Sequence, residues 1–159
     1  QLATILIIMI TCFIGWSPGS TGSGIKNTTF AIFMATLKAA ITGNTTVILK
    51  HRTIPQYQIF KAFAVIALGL TWVIFTTFFL LITEKSLSFI TIFFEVISAF
   101  ANLGESMLTK TKDLTVIGRV FITITMIIGR IGPLTAVLAL RKRPGKHEFT
   151  YPDEHVMIG

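Results

Sequence analysis

Charge is what this sequence has least of. Asp, Glu, Lys and Arg make up 13% of its 159 residues, where a soluble domain carries about 25%. The shortage falls mainly on one sign, with seven acidic residues against fourteen basic ones. Together with 52% hydrophobic residues and a mean hydropathy of +0.76, this excludes a disordered chain, a nucleic-acid-binding module and an ordinary cytosolic enzyme. Cysteine is nearly missing as well: the lone Cys12 sits in an apolar run, so neither a disulfide framework nor a cysteine metal site is available. No basic segment followed by a small-residue cleavage site opens the chain, which argues against a signal peptide. It begins on Gln1, without an initiator Met, directly before an apolar run, and is expected to be part of a longer protein.

What is there in abundance is hydrocarbon. Crossing a bilayer core takes about 20 predominantly apolar residues in a helix. Residues 62–83 supply 22 without a charge, and 120–140 supply 21 with the single charge Arg130. Residues 1–25 carry no charge, but Pro18 and the run Gly19-Ser20-Thr21-Gly22-Ser23-Gly24 interrupt any helix near residue 17. Residues 30–41 become long enough to cross only if 24–29 extend them, and 87–100, with Glu95 inside, is short enough to read as re-entrant or buried. The order is short helix, Gly-rich bend, spanning helix, polar connection, spanning helix, short helix, bend, spanning helix. The second half is a unit of span, re-entrant helix, loop and span, and the first half matches it without the opening span. That makes a repeat.

Basic residues set the orientation. Lys38, Lys50, Arg52 and Lys61 around the 42–60 connection, with Arg141, Lys142, Arg143 and Lys146 in the tail, outnumber Lys85, Lys110, Lys112 and Arg119 on the other side by eight to four. The connection and the tail are therefore expected in the cytoplasm.

Irregular backbone at membrane depth survives only inside protein or along a water-filled path. Two such stretches, Ser17-Pro18-Gly19-Ser20 and Ala101-Asn102-Leu103-Gly104, hold corresponding places in the two units, each after a short apolar helix. Glycine lets successive carbonyls turn toward one axis, and rings of carbonyls replace the hydration shell of a potassium ion. The short helices would aim their partially negative C-terminal ends at the same place. One bend alone reads equally as a helix-ending loop with a glycine cap; two at matching positions favour a cation path.

These stretches also carry a resemblance. The segment from Gly15-Trp16-Ser17-Pro18-Gly19-Ser20 through Gly24-Ile25-Lys26-Asn27-Thr28-Thr29-Phe30 resembles the third pore loop of the Trk/Ktr/HKT potassium transporter superfamily, nearest to its bacterial KtrB-type membrane subunits. Phe94-Glu95-Val96-Ile97-Ser98-Ala99-Phe100 resembles the fourth pore helix, Ile128-Gly129-Arg130-Ile131-Gly132-Pro133-Leu134 the last spanning helix, and Tyr151-Pro152-Asp153-Glu154 to Ile158-Gly159 the C-terminus. The resemblance implies an all-α integral membrane protein of repeated span–re-entrant pore helix–span units, potassium-channel-like, with four repeats around one pore. Residues 1–54 would be the third repeat without its first span, 55–143 the fourth, and 144–159 a cytoplasmic tail.

By the same resemblance Gly19 and Gly104 are filter glycines, and Ser17, Pro18, Gly19, Ser20, Ala101, Asn102, Leu103 and Gly104 form the filter segments that hold K+, the only metal site implied. Gly22, Gly24, Lys26 and Thr28 belong to the gating segment below, with Arg130. The activity implied is potassium uptake across the plasma membrane, without catalytic residues or a covalently bound cofactor. The partners implied are a second copy of the chain, in a homodimer, and a cytosolic nucleotide-binding ring of the KtrA type; nucleic acid is not among them. KtrB-type proteins usually carry Gly-Thr-Val-Gly where this chain has Ala101-Asn102-Leu103-Gly104, nearer the TrkH-type pattern. Two alternatives therefore stay open: a sodium-permeable or Na+-coupled member, and a non-conducting assembly subunit with degenerate pore loops.

The remaining residues have competing readings. A mid-span charge such as Arg130 costs a few kcal/mol and faces a cavity or a partner; it either shapes ion passage below the filter or caps helix carbonyls or Glu95. Glu95 either braces the filter through backbone amides or ligates the cation directly. Glu105 is either an acid at the outer mouth or an ordinary loop carboxylate. Gly19 to Lys26 departs from G-x-x-x-x-G-K-[ST], since Ile25 intrudes and no strand precedes it, so a nucleotide loop is rejected. Lys26 is a candidate cytosol-side countercharge. His147, His155, Glu148, Asp153 and Glu154 show no metal-ligand spacing. The glycosylation patterns at Asn27 and Asn44 fall within or below the membrane and are discounted.

Overall fold

The computed structural model describes residues 2–17, 22–44, 46–49, 52–108, 114–133 and 135. Five helices account for nearly all of the regular structure: α1 (Leu2–Phe13), α2 (Asn27–Ile41), α3 (Gln56–Thr83), α4 (Phe89–Ala101) and α5 (Val116–Ile131). Between α2 and α3 lies one small antiparallel ladder, β1 (Ile48–Leu49) with β2 (Arg52–Thr53), in the register Ile48 to Thr53 and Leu49 to Arg52.

Helix α3 is the long one. At 28 residues it spans about 42 Å, more than the roughly 30 Å hydrocarbon core. It starts after Pro55 and runs through Lys61, whose ammonium lies 5.4 Å from the Tyr57 ring centroid. Its buried stripe is Ala62, Ile66, Gly69, Val73, Thr76, Thr77 and Leu80, close to the 3.5-residue spacing of a packing seam. The opposite face shows Phe60, Leu70, Ile74, Phe75 and Phe78 to the surroundings. Only 33% of its most apolar window is buried. A surface of that kind is at home in lipid and costly in water.

Helix α4 is the centre of the packing and the shortest but one. Every residue from Val96 to Ala101 is buried, because α1, α3 and α5 all lie against it. Its N-terminus is capped by Ser88, whose hydroxyl accepts from the Thr91 amide at 3.3 Å. At 13 residues, α4 is about 20 Å long and too short to cross a bilayer core, and the described part of α1 is 12 residues.

Helices α3 and α5 are joined by polar contacts inside an apolar seam. Trp72 Nε1 donates to Thr125 Oγ1 at 3.1 Å, the Thr76 and Thr125 hydroxyls meet at 3.3 Å, and Phe79 stacks on Phe121 at 3.8 Å. At the end of the pair the Glu84 carboxylate, on a residue 3% exposed, accepts from the Thr115 amide at 2.9 Å and hydroxyl at 2.5 Å. Thr115 in turn caps α5 by accepting from the Gly118 amide. An acid at a helix N-terminus faces the positive end of the dipole.

Helix α2 does not take in residues 24–26, and α3 alone among the described helices is long and apolar enough to cross. Helix α2 begins only at Asn27, because Lys26 is extended at ψ 143° and Gly24 turns at φ +86°; the amides of residues 23–25 bond to carbonyls of other elements. Helix α5 breaks after Ile131: Gly132 leaves helical geometry at φ +93°, and Pro133 has no amide to continue the ladder. Pro133 and Thr135 are helical again, and residues 134 and 136–140 lie outside the described residues. The tail 144–159 lies outside the described residues.

Candidate functional site

The C-terminal ends of α1 and α4 come together, and an irregular segment, residues 22–26, threads between them. The Ile25 amide donates to Phe13 O at 3.4 Å and the Asn27 amide to Trp16 O at 3.3 Å, holding the segment to the end of α1. The Ser23 amide donates to Ala101 O at 3.3 Å, at the end of α4, and the Gly24 amide to Gly129 O at 3.5 Å, on α5. Phe13 and Phe100 stack beside it at 6.0 Å. Ser23, Gly24 and Ile25 are buried. The backbone at this junction is thus satisfied by tertiary partners, as membrane depth requires.

Helix α4 ends on Asn102, in left-handed geometry at φ 52° and ψ 42°. The Asn102 amide donates to Ala99 O and the Leu103 amide to Ser98 O, both at 3.1 Å, which is the Schellman closure of a helix. The Asn102 side chain donates to Ser23 Oγ and to Met126 O, each at 2.9 Å. Past this point Gly104 turns at φ +80° with nothing within 4 Å of where a Cβ would sit. That position needs glycine for its backbone angle and not for space.

The chain beyond Gly104 is fastened back onto α4. Glu95 Oε1 accepts from Ser106 Oγ at 2.6 Å and from the Met107 amide at 2.7 Å. The Ser98 hydroxyl donates to Glu105 O. On the other bend, the Asn27 carboxamide, oriented by its hydrogen-bond network, donates to Ile14 O at 2.8 Å and Gly15 O at 2.9 Å.

Of the residues expected at the site, Ala101 and Asn102 bond directly to Ser23, with Leu103 and Gly104 next in the chain, and Gly24 bonds to Gly129 O. Ala101 is still helical, and its carbonyl accepts the Ser23 amide. Ser17 is exposed in coil; Pro18, Gly19 and Ser20 lie outside the described residues. Gly22 is half-buried, and its carbonyl accepts from Lys26 Nζ at 2.8 Å. Thr28 is exposed in the first turn of α2 and makes no side-chain hydrogen bond among the described residues. Arg130 sits in the last turn of α5, next to Gly129. Among the described residues no three His, Cys, Asp or Glu side chains gather as a metal site; His147 and His155 lie outside them.

Three residues that tie the structure together carry no sequence signal of that role. Asn27 drew notice only as a glycosylation pattern, although a carboxamide just after a Gly-rich bend is well suited to bind free carbonyls. Ser23 was one of several small residues in a run. Glu84 is a single acid at the end of an apolar run, and its partner is 31 residues away.

Helix ends here converge on irregular backbone satisfied by tertiary partners, beside a helix long enough to cross a bilayer; at membrane depth such backbone is tolerated only inside protein or along a water-filled path. A family model described as "TrkH: Cation transport protein" matches residues 1–151, and the chain belongs to that family, one of cation transporters and not of enzymes. It is 38% identical to the Ktr system potassium uptake proteins B and D of Bacillus subtilis, over 98% and 99% of this chain and 34% of each of theirs. It is 34% identical to the potassium/sodium uptake protein NtpJ of Enterococcus hirae, over 99% of this chain and 36% of that protein. The chain therefore spans about a third of the length of these curated relatives.

Proposed function

We propose that this chain forms part of the ion-translocating subunit of a potassium uptake system in the cell membrane. K+ sheds water at a filter to which residues 17–20 and 101–104 contribute main-chain oxygens, in third and fourth repeats at 1–54 and 55–143. Glu95 supports the filter by holding the chain after Gly104. Gly22, Gly24, Lys26, Thr28 and Arg130 form the gate beneath, and Lys26 already holds the Gly22 carbonyl. Ions move down their electrochemical gradient without chemical catalysis. The complete transporter is a homodimer on a cytosolic nucleotide-binding ring, and its C-terminal tail is cytoplasmic.

The observation that carries this reading is the meeting of the α1 and α4 ends, where Phe13 stacks on Phe100 and the segment between them bonds to Phe13 O and Ala101 O, in a chain of a cation-transport family. It brings two partially negative helix ends to one place. The test is rubidium uptake into potassium-starved cells expressing the native gene that carries this chain, compared with Gly104→Ser. The expected result is loss of uptake, or of preference for K+ over Na+, in protein that still inserts. Unchanged selective uptake would overturn the reading and favour a non-conducting assembly subunit.

A sodium-permeable or Na+-coupled pore is the second reading. It is favoured by the departure at Ala101-Asn102-Leu103-Gly104 and by the similarity to a protein named for both ions. Sodium uptake that competes with rubidium in the native protein would select it.

A further inference from the structure

We propose that Asn102 is a positioning residue for ion selection: its carboxamide clasps the two bends together and so fixes where the carbonyls beyond it, at Leu103 and Gly104, are presented. The proposal rests on the potassium-pore reading above and adds to it a role for a side chain in a filter otherwise made of main chain.

The argument starts from the backbone. Asn102 is the one non-glycine among the described residues with positive φ. Glycine is the residue that adopts this helix-ending geometry most readily, and asparagine is the commonest substitute. Asparagine brings what glycine lacks, a carboxamide with two N–H donors. Here Nδ2 reaches Ser23 Oγ and Met126 O, both at 2.9 Å. These partners belong to different elements: Ser23 to the segment after the first bend, Met126 to α5. One side chain therefore ties three pieces of chain that are 79 and 24 residues apart in sequence.

The tie to Ser23 is doubled. While the Ser23 hydroxyl accepts from Asn102, the Ser23 amide donates to Ala101 O at 3.3 Å. Two bonds between the same two short stretches set both their separation and their relative rotation; one would leave a swivel. Gly104 follows two residues later with nothing within 4 Å of where a Cβ would sit, so its placement is inherited from the clasp before it and the Ser98 and Glu95 bonds after it, and not from side chains packed around it. The buried surroundings of Ser23, 2% exposed, keep water from replacing the bond. Threonine at this position carries a single donor and cannot reach both acceptors.

Asn102→Gly is the decisive variant, because it keeps the left-handed backbone and removes only the carboxamide. In cells expressing the native gene, Rb+ and Na+ uptake are measured for wild type, Asn102→Gly, Ser23→Ala, the double variant and Gly104→Ser, with insertion checked by membrane fractionation. The Rb+ to Na+ uptake ratio should fall about tenfold in Asn102→Gly, the scale of two interhelical hydrogen bonds. Ser23→Ala should fall part of the way, and the double variant should be no worse than Asn102→Gly, since one bond cannot be lost twice. A cap that served the helix alone would leave the ratio untouched or improve stability. If Asn102→Gly does not insert, Ser23→Ala decides by itself. An unchanged ratio in the inserted clasp variants, with uptake lost in Gly104→Ser, overturns the clasp and leaves the pore reading standing. If Gly104→Ser is also unchanged, the pore reading fails with it.

Discussion

Two glycines on this chain are required for opposite reasons, and a methyl group tells them apart. A Cβ on Gly129 would run into the Phe100 carbonyl, where α5 crosses the end of α4. A Cβ on Gly104 would meet nothing within 4 Å but would sit at φ +80°. Gly129→Ala must therefore push α5 away from α4, and should destabilise the folded protein by about 1–3 kcal/mol, as overpacking does. Gly104→Ala carries only a backbone penalty of about 1–2 kcal/mol and leaves the helix pair in place. Crosslinking between single cysteines on α4 and α5 in detergent-solubilised protein, followed through thermal unfolding, should drop for Gly129→Ala and persist for Gly104→Ala; equal behaviour would count against the close approach. Both glycines stand in motifs visible in the sequence, but the reason for each needs three dimensions. The same holds for Glu95. A lone acid in an apolar helix must be satisfied, which the sequence makes plain, whereas its partners Ser106 and Met107 lie in a stretch without periodicity that could have announced them.

Among the elements, boundaries followed the sequence wherever periodic apolar residues ran into a chemical stop. Helix α4 occupies 89–101 where 87–100 was expected, since Ser88 caps it and Asn102 ends it. Helix α3 extends the charge-free run back to Gln56, because a lysine near a helix end can keep its charge outside the apolar zone. Helix α2 gains residues 27–29 on the apolar run 30–41 but does not reach back to 24, and α5 breaks at Gly132. Hydropathy measures the solvent a segment prefers, not whether its amides are bound within the helix, and residues 22–25 are as much at home in the membrane interior as a helix would be. The seam between α3 and α5 was not legible at all, as Trp72, Thr76 and Thr125 look like scattered polar residues in apolar runs. It offers a direct test. Thr125→Val removes the acceptor of Trp72 Nε1 and the partner of Thr76 while preserving shape. Interhelical bonds of this kind contribute about 0.6–2 kcal/mol each, so denaturation of the inserted protein by increasing SDS should occur earlier by an amount of that order. Thr71→Val, whose hydroxyl bonds only to Ala67 O on its own helix, is the control and should change little.

At the scale of the molecule, one helix settles the relative sides of everything attached to it. Since α3 is about 42 Å long and shows an apolar face to its surroundings, the ladder at its N-terminal end and the turn at Glu84-Lys85-Ser86 lie on opposite sides of any bilayer it crosses. Which side is which follows from basic residues. Lys38, Arg52 and Lys61 gather at the ladder end, while Lys85 at the other end stands beside the buried Glu84. Lysine and arginine are retained in the cytoplasm, and acids contribute little to the choice. The ladder is therefore predicted to be cytoplasmic and Ser86 external. In a Cys12→Ser background, a cysteine replacing the exposed Thr46 should react with a membrane-impermeant maleimide only after permeabilisation, and one replacing the exposed Ser86 should react in intact cells. The reverse pattern would invert the orientation and put the gate side of the proposed pore outside the cell. Labelling of both sites in intact cells would deny that α3 crosses, and with it the membrane path that the bends are proposed to line.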